Sequence, residues 1–143
     1  MSKSNYLENE VLNLFLKGGA HTQLTGGVFL GIISDANPTD SSVTEISAGS
    51  YTATSEADSS SRPPITFGTI STSNNVTSAS GPTSDIEFEN TSGSAFTVRG
   101  FAVYDAATSG DLLYYGELAA DKEIADGDSI RFEAPSSITI TEA

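Results

Sequence analysis

The chain has no cysteine and no tryptophan, one histidine, one methionine and only six Lys plus Arg among its 143 residues. Without cysteine there is no disulfide, zinc-thiolate centre or thiol nucleophile. The same absence suits synthesis in a reducing host cytoplasm. Any Ser-His-Asp arrangement would have to pass through His21, and no Gly-x-Ser-x-Gly elbow accompanies it; His21 is expected to be an ordinary loop residue. Gly26-Gly27 lacks the following lysine of a phosphate-binding loop. The few basic residues face 19 Asp plus Glu, for a formal net charge of −13 and a pI near 4.1. Such a chain repels phosphate backbones and anionic lipid surfaces, so neither nucleic acid nor membrane is an expected partner. No apolar run approaches the roughly 18 residues of a membrane span. The patch Val11–Leu16, broken by Asn13 and flanked by Glu8 and Glu10, is not expected to be a targeting segment. Asn75-Val-Thr77 and Asn90-Thr-Ser92 match the glycosylation pattern, but without a secretory signal they read as coincidence.

What is present is turn chemistry and short apolar alternation. Phe96–Phe132 contains three strand-like segments: Phe96–Tyr104, Leu112–Leu118 and Ser129–Glu133. They are separated by Asp105–Gly110 and by the turn Asp126-Gly127-Asp128, and the run reads as a β-meander. Asp85–Glu89 alternates, with Ile86 and Phe88 inward; Ile130 with Phe132, and Ile138 with Ile140, follow the same rule. Gly27–Ser34 is a continuous apolar run expected to be buried on both sides or against a helix. Tyr51–Thr54 is a possible short strand, and Pro63-Pro64 starts another over Ile65–Ser71. Thr72–Ser84 reads as mostly loop with one short strand near Val76.

One convincing helix opens the chain. Ser4 or Asn5 caps it, Asn5 and Glu8 have capping-box spacing, and Gly18-Gly19 stops it. Its broad apolar stripe needs a cover; its own domain is the expected one, a partner the alternative. The reading is an all-β fold: an antiparallel β-sandwich of about seven to nine short strands with one N-terminal helix over 4–18. It forms one domain over 1–143, with a flexible loop or insertion at 52–62.

Carboxylates are plentiful enough for a glycosidase pair, but most sit on wet strand faces or in turns, where nothing raises a pKa. Asp121, Glu123, Asp126 and Asp128 around one turn, and Asp35 with Asp40 around another, raise calcium as a possibility. Their spacing fits no EF-hand, and a solvated turn is preferred. Tyr104, Tyr114 and Tyr115 invite a carbohydrate-stacking role that the lack of tryptophan weakens. Adjacent Tyr114 and Tyr115 point to opposite sheet faces, so only one is expected in the core. No catalytic, cofactor or metal residues are assigned. The expected partner-contact residues are Leu7, Val11, Leu14, Phe15, Tyr114 and Tyr115.

Several segments taken in order also carry a resemblance. They are Asn5-Tyr-Leu-Glu-Asn9, Val28–Ser34 running into Asp35 and Pro38, Thr44–Tyr51, Arg62–Gly68, Gly100–Ala107 with Leu112–Leu118, and Gly127–Phe132. With these the chain resembles a family of small tailed-bacteriophage virion structural proteins, often labelled tail-fibre-like. In similar sequences the positions of Tyr51 and Arg62 lie close together, so Thr52–Ser61 looks like an insertion. The resemblance implies a non-enzymatic virion component without cofactor. Its implied partners are the major capsid protein or other virion proteins, with self-association. Physics ranks the location: an acidic β domain without heptads suits decoration of the outer capsid face, as a cement protein, ahead of a tail or fibre role or a glycan-binding module.

Overall fold

The computed structural model describes residues 2–18, 27–54, 61–74 and 76–142. His21, Gly26, Asn75 and most of the 52–62 segment lie outside them. All strand pairing is antiparallel. The largest sheet is built from β1 (Ser2–Lys3), β2 (Val28–Ile33), β4 (Pro64–Ile65), β8 (Phe96–Tyr104) and β9 (Leu112–Ile124), in the order β1-β9-β8-β2-β4. A second sheet has the order β10-β7-β3, from β3 (Tyr51–Ala53), β7 (Ile86–Asn90) and β10 (Ser129–Phe132). A third has the order β11-β6-β5, from β5 (Ser71–Ser73), β6 (Val76–Gly81) and β11 (Ile138–Glu142). The class is the expected β-sandwich with one N-terminal helix. The strand count among the described residues exceeds seven to nine because two-residue ladders such as β1 and β4 contribute to it.

One core joins the sheets. Leu30, Ile32, Val98, Phe101 and Val103 of the large sheet meet Tyr51, Ile86, Phe88 and Phe132 of the second and Ile138 of the third. Edge-to-face rings carry the contact across: Tyr51 to Phe88 at 4.9 Å, Phe88 to Phe132 at 5.9 Å, and Phe132 to Phe101 at 6.2 Å. The alternation of β7 and β10 is as expected, with Ile86, Phe88 and Phe132 buried. Asn90 is also fully buried. Its amide donates to the carbonyls of Ser94 and Ile124, both at 2.8 Å, and its oxygen accepts from the N–H (2.9 Å) and hydroxyl (2.8 Å) of Ser92. A side chain so enclosed is closed to glycosylation.

Three expectations are corrected. The run Phe96–Phe132 is not a three-stranded meander: β8 and β9 form a hairpin, but β10 leaves for the other sheet and pairs with β7. The Asp126-Gly127 turn is captured by the β7 edge. Gly127 N–H donates to the Asn90 carbonyl at 2.8 Å, Asn90 N–H donates to Asp128 at 2.8 Å, and the Asp126 carboxylate accepts from Gly93 N–H at 2.8 Å. Second, the Ser/Thr-rich stretch after Ile70 is a sheet of its own, held by cross-strand hydroxyl pairs: Thr72–Thr77 at 2.9 Å and Ser80–Thr139 at 3.2 Å. Ile65–Ser71 is accordingly split between β4 and the approach to β5.

Third, Tyr114 and Tyr115 both join a core rather than only one of them, because both faces of the large sheet are covered, as expected for the apolar run Gly27–Ser34. The segment 35–46 folds over the outer face and buries Ile33, Ala102, Tyr104 and Tyr115 in a small second core with Val43 and Leu112. It is pinned by Asp35, whose carboxylate accepts from the Thr44 N–H and hydroxyl, and by Asp40, which accepts from the Tyr115 hydroxyl. So Tyr115 is buried in one core while Tyr114 packs half-buried against the other.

Candidate interaction site

The helix α1 (Asn5–Lys17) forms for reasons visible in its ends. Ser4, in extended conformation, caps it by accepting from Leu7 N–H at 3.2 Å, whereas Asn5 is already helical. Gly18 ends it at φ 63°, a left-handed conformation that glycine adopts without a Cβ penalty. Glu8 in the first turn and Lys17 in the last suit the helix dipole. The N-terminal end is anchored firmly. β1 pairs with Tyr114 and Tyr115 of β9, Ser4 is buried, its N–H donates to Leu113 at 2.9 Å, and its hydroxyl donates to the Leu112 carbonyl.

Beyond that anchor the helix is not buried, contrary to the expectation that its own domain covers the apolar stripe. None of its residues is buried, and only Leu7, Glu10 and Leu14 are even half-buried. Leu12 is 54% exposed, and Phe15 and Leu16 are 76% exposed. Of the expected contact residues, Val11 and Phe15 thus face solvent, Leu7 and Leu14 are half-buried, and Tyr115 is enclosed.

Beneath the helix lies an open apolar groove of about 470 Å³. Tyr6, Leu7 and Glu10 of α1 form one wall and Ala79 and Ile140 of the third sheet the other; Leu113 and Tyr114 lie between them. Phe67 and Ile70, on the connection from β4 to β5, complete it, and Ile70 is 70% exposed. Burial, and then the charges of Asp111, Glu10 and Asp105, raise the Tyr6 pKa above its ordinary value, so the Tyr6 end of the groove lies in a field of negative charge. Tyr114 is at once a lining residue of this groove and a partner of the main core. Exposed apolar surface of this kind, edged by charge, is characteristic of protein contact sites.

A second constellation, which the sequence reading missed, is Arg62. Its guanidinium bonds Glu45 with both carboxylate oxygens, at 2.6 and 2.7 Å, and the carbonyls of Ala106 and Ser109 at 2.9 and 2.6 Å. It also lies 3.6 Å over the Tyr104 ring. Burial pulls its pKa down, but the hydrogen bond and charge of Glu45 more than offset that, and the guanidinium sits above its ordinary value. Glu45 reaches it across a glycine: a Cβ on Gly31 would stand 2.5 Å from the Glu45 carboxylate. The constellation is saturated internally and is a clamp rather than a site. Two further acids are paired within the chain: Arg99 with Asp121 at 3.0 Å and Arg131 with Glu87 at 3.1 Å. Hydrogen bonds from Ser129 and Arg131 hold Glu87 below the usual carboxylate range, the opposite of what a general acid requires. Among the described residues no group of three or more metal-ligating side chains converges, and no helix is long and apolar enough to cross a membrane.

A family model described as Podophage GP4 fiber I protein gp80 matches residues 2–141. The chain belongs to that family. It is therefore a phage virion structural protein of the tail-fibre-like kind. No curated protein matches the chain. For a fibre-family protein, the combination of an anchored helix with an uncovered apolar face and a saturated interior directs attention to the surface, where the groove is.

Proposed function

We propose that the chain is a non-enzymatic, fibre-type building block on the outside of a podophage particle, attached through the apolar face of α1. The observation that carries this reading is Phe15 and Leu16, 76% exposed on a helix whose base is locked to β9, in a chain of the fibre family. Leaving two large apolar side chains in water forgoes roughly 1.5–3 kcal/mol each, which a partner recovers on assembly. The family description favours the tail side over decoration of the capsid shell. The formal charge of −13 suits any location away from packaged DNA, including contact with the major capsid protein. Labelling purified particles with a gold-tagged antibody to the chain, with copy number from quantitative mass spectrometry, tests the reading. Label on the tail or fibres supports it. Label spread over the shell in many copies establishes decoration instead, and absence from the particle refutes both.

A further inference from the structure

We infer that the groove under α1 seats a segment of a different virion protein, one in which Lys or Arg side chains flank large apolar ones. The inference rests on the fibre-type reading and adds the chemistry of the partner. The apolar lining of Leu7, Phe67, Leu113, Tyr114 and Ile140 offers no charge for a polar ligand to meet, and the groove's volume of about 470 Å³ falls in the range of pockets that engulf several large groups. The rim is different. Glu10 lines the groove directly, and the charges of Asp111 and Asp105 bear on Tyr6 beside it. Against them stand Lys3, opposite Tyr114 on β1, and Lys17 at the far end of the helix. An apolar bed with an acidic border selects a guest whose apolar anchors carry cationic neighbours.

A second copy of this chain fits the border poorly. It brings a formal charge of −13 of its own and has only six Lys and Arg to set against 19 acids. An anionic lipid surface is repelled for the same reason. Ile70, a lining residue that is 70% exposed, gives the guest a second apolar contact without any rearrangement of the core.

The test uses the full-length chain and an array of overlapping synthetic peptides covering the other structural proteins of the same phage. The bound peptides are expected to combine Lys or Arg with Leu, Ile, Phe or Trp, and the best of them, resynthesised, to bind several-fold more weakly when salt is raised. Ile70→Ser and Glu10→Lys should each weaken that peptide several-fold, Glu10→Lys with a reduced dependence on salt. A peptide with its Lys and Arg changed to Glu should prefer the Glu10→Lys chain to the wild type. Unchanged thermal unfolding of both variants separates lost binding from lost folding. Binding only by acidic or uncharged peptides, no binding by any, or indifference to both substitutions overturns the inference. Sedimentation showing a dimer that Ile70→Ser dissociates also overturns it, by making a second copy the occupant. None of these outcomes bears on where the chain sits in the particle, which the antibody experiment decides separately.

Discussion

Replacing Arg62 by Met is the perturbation that most sharply tests how this domain is held together. The guanidinium makes two charge-assisted bonds to Glu45, at 2.6 and 2.7 Å, and two to backbone carbonyls, at 2.9 and 2.6 Å, and it covers the Tyr104 ring. The side chains of Arg62 and Glu45 are only 9% and 22% exposed, so water does not take over when one is removed. Breaking a buried pair from one side costs about 3–5 kcal/mol, because the remaining charge is left without a partner. For a chain of this size 1 kcal/mol corresponds to roughly 3 °C in melting temperature, so Arg62→Met should melt about 10–15 °C lower. The second half of the cycle is Glu45→Met, and then both together. With no charge left, an apolar pair of similar volume should regain at least half of the loss, giving a coupling of about 2 kcal/mol or more. Because tryptophan is absent, far-ultraviolet circular dichroism in urea is the natural assay, with an unchanged m-value as the check on two-state behaviour. A loss below about 1 kcal/mol for the single substitution would place the pair with solvent-exposed ion pairs and refute the reasoning. So would a double variant that simply sums the two single losses.

Two further expectations concern the interior. Burial, then the charge of Glu45, push the Tyr104 hydroxyl from its ordinary 10.0 up to about 12, against the opposing pull of Arg62. The folded state therefore keeps a proton that the unfolded state releases; the associated stability is intact below pH 10 and is lost as pH rises through about 12. In an alkaline titration followed by tyrosinate absorbance, Tyr104→Phe should remove a late-ionising group, and a single titration of all tyrosines near their ordinary value would contradict the burial. Asn90→Leu should cost on the order of 3 kcal/mol in chemical denaturation, since it strips four hydrogen bonds from a fully enclosed position; a change within about 0.5 kcal/mol would show that water replaces them.

Where local chemistry decided the outcome, the residues announced it. Ser4 and Gly18 bound the helix, and the alternation in Asp85–Glu89 and the apolar run before Ser34 placed strands with the right faces inward. The losses came where distant residues decide. Nothing within Asp126-Gly127-Asp128 distinguishes a hairpin from a crossing between sheets; the Asn90 backbone, far off in sequence, claims the turn. The hydroxyl-rich β5 and β6 have the composition of a loop and become strands only because β11 returns beside them. The uncovered helix was misjudged because an apolar stripe states that a cover is needed without naming whose. The groove wall at Phe67 and Ile70 was invisible because it is assembled from separate elements. Arg62 carried one signal: an arginine set between a polar stretch and a Pro-Pro pair.

The clamp at Arg62 has a counterpart at the other end of the same segment. Thr54 N–H donates to the Glu87 carbonyl at 3.0 Å, and its hydroxyl accepts from Glu87 N–H at 2.8 Å. The two ends of 54–62 are thus fastened to the body independently, by Glu87 on one side and by Glu45 with the β8–β9 turn on the other. Length added between two fixed posts enters stability only logarithmically, about 0.6 kcal/mol for each doubling. A change in the number of residues joining the two posts is therefore expected to shift the melting temperature by no more than a few degrees.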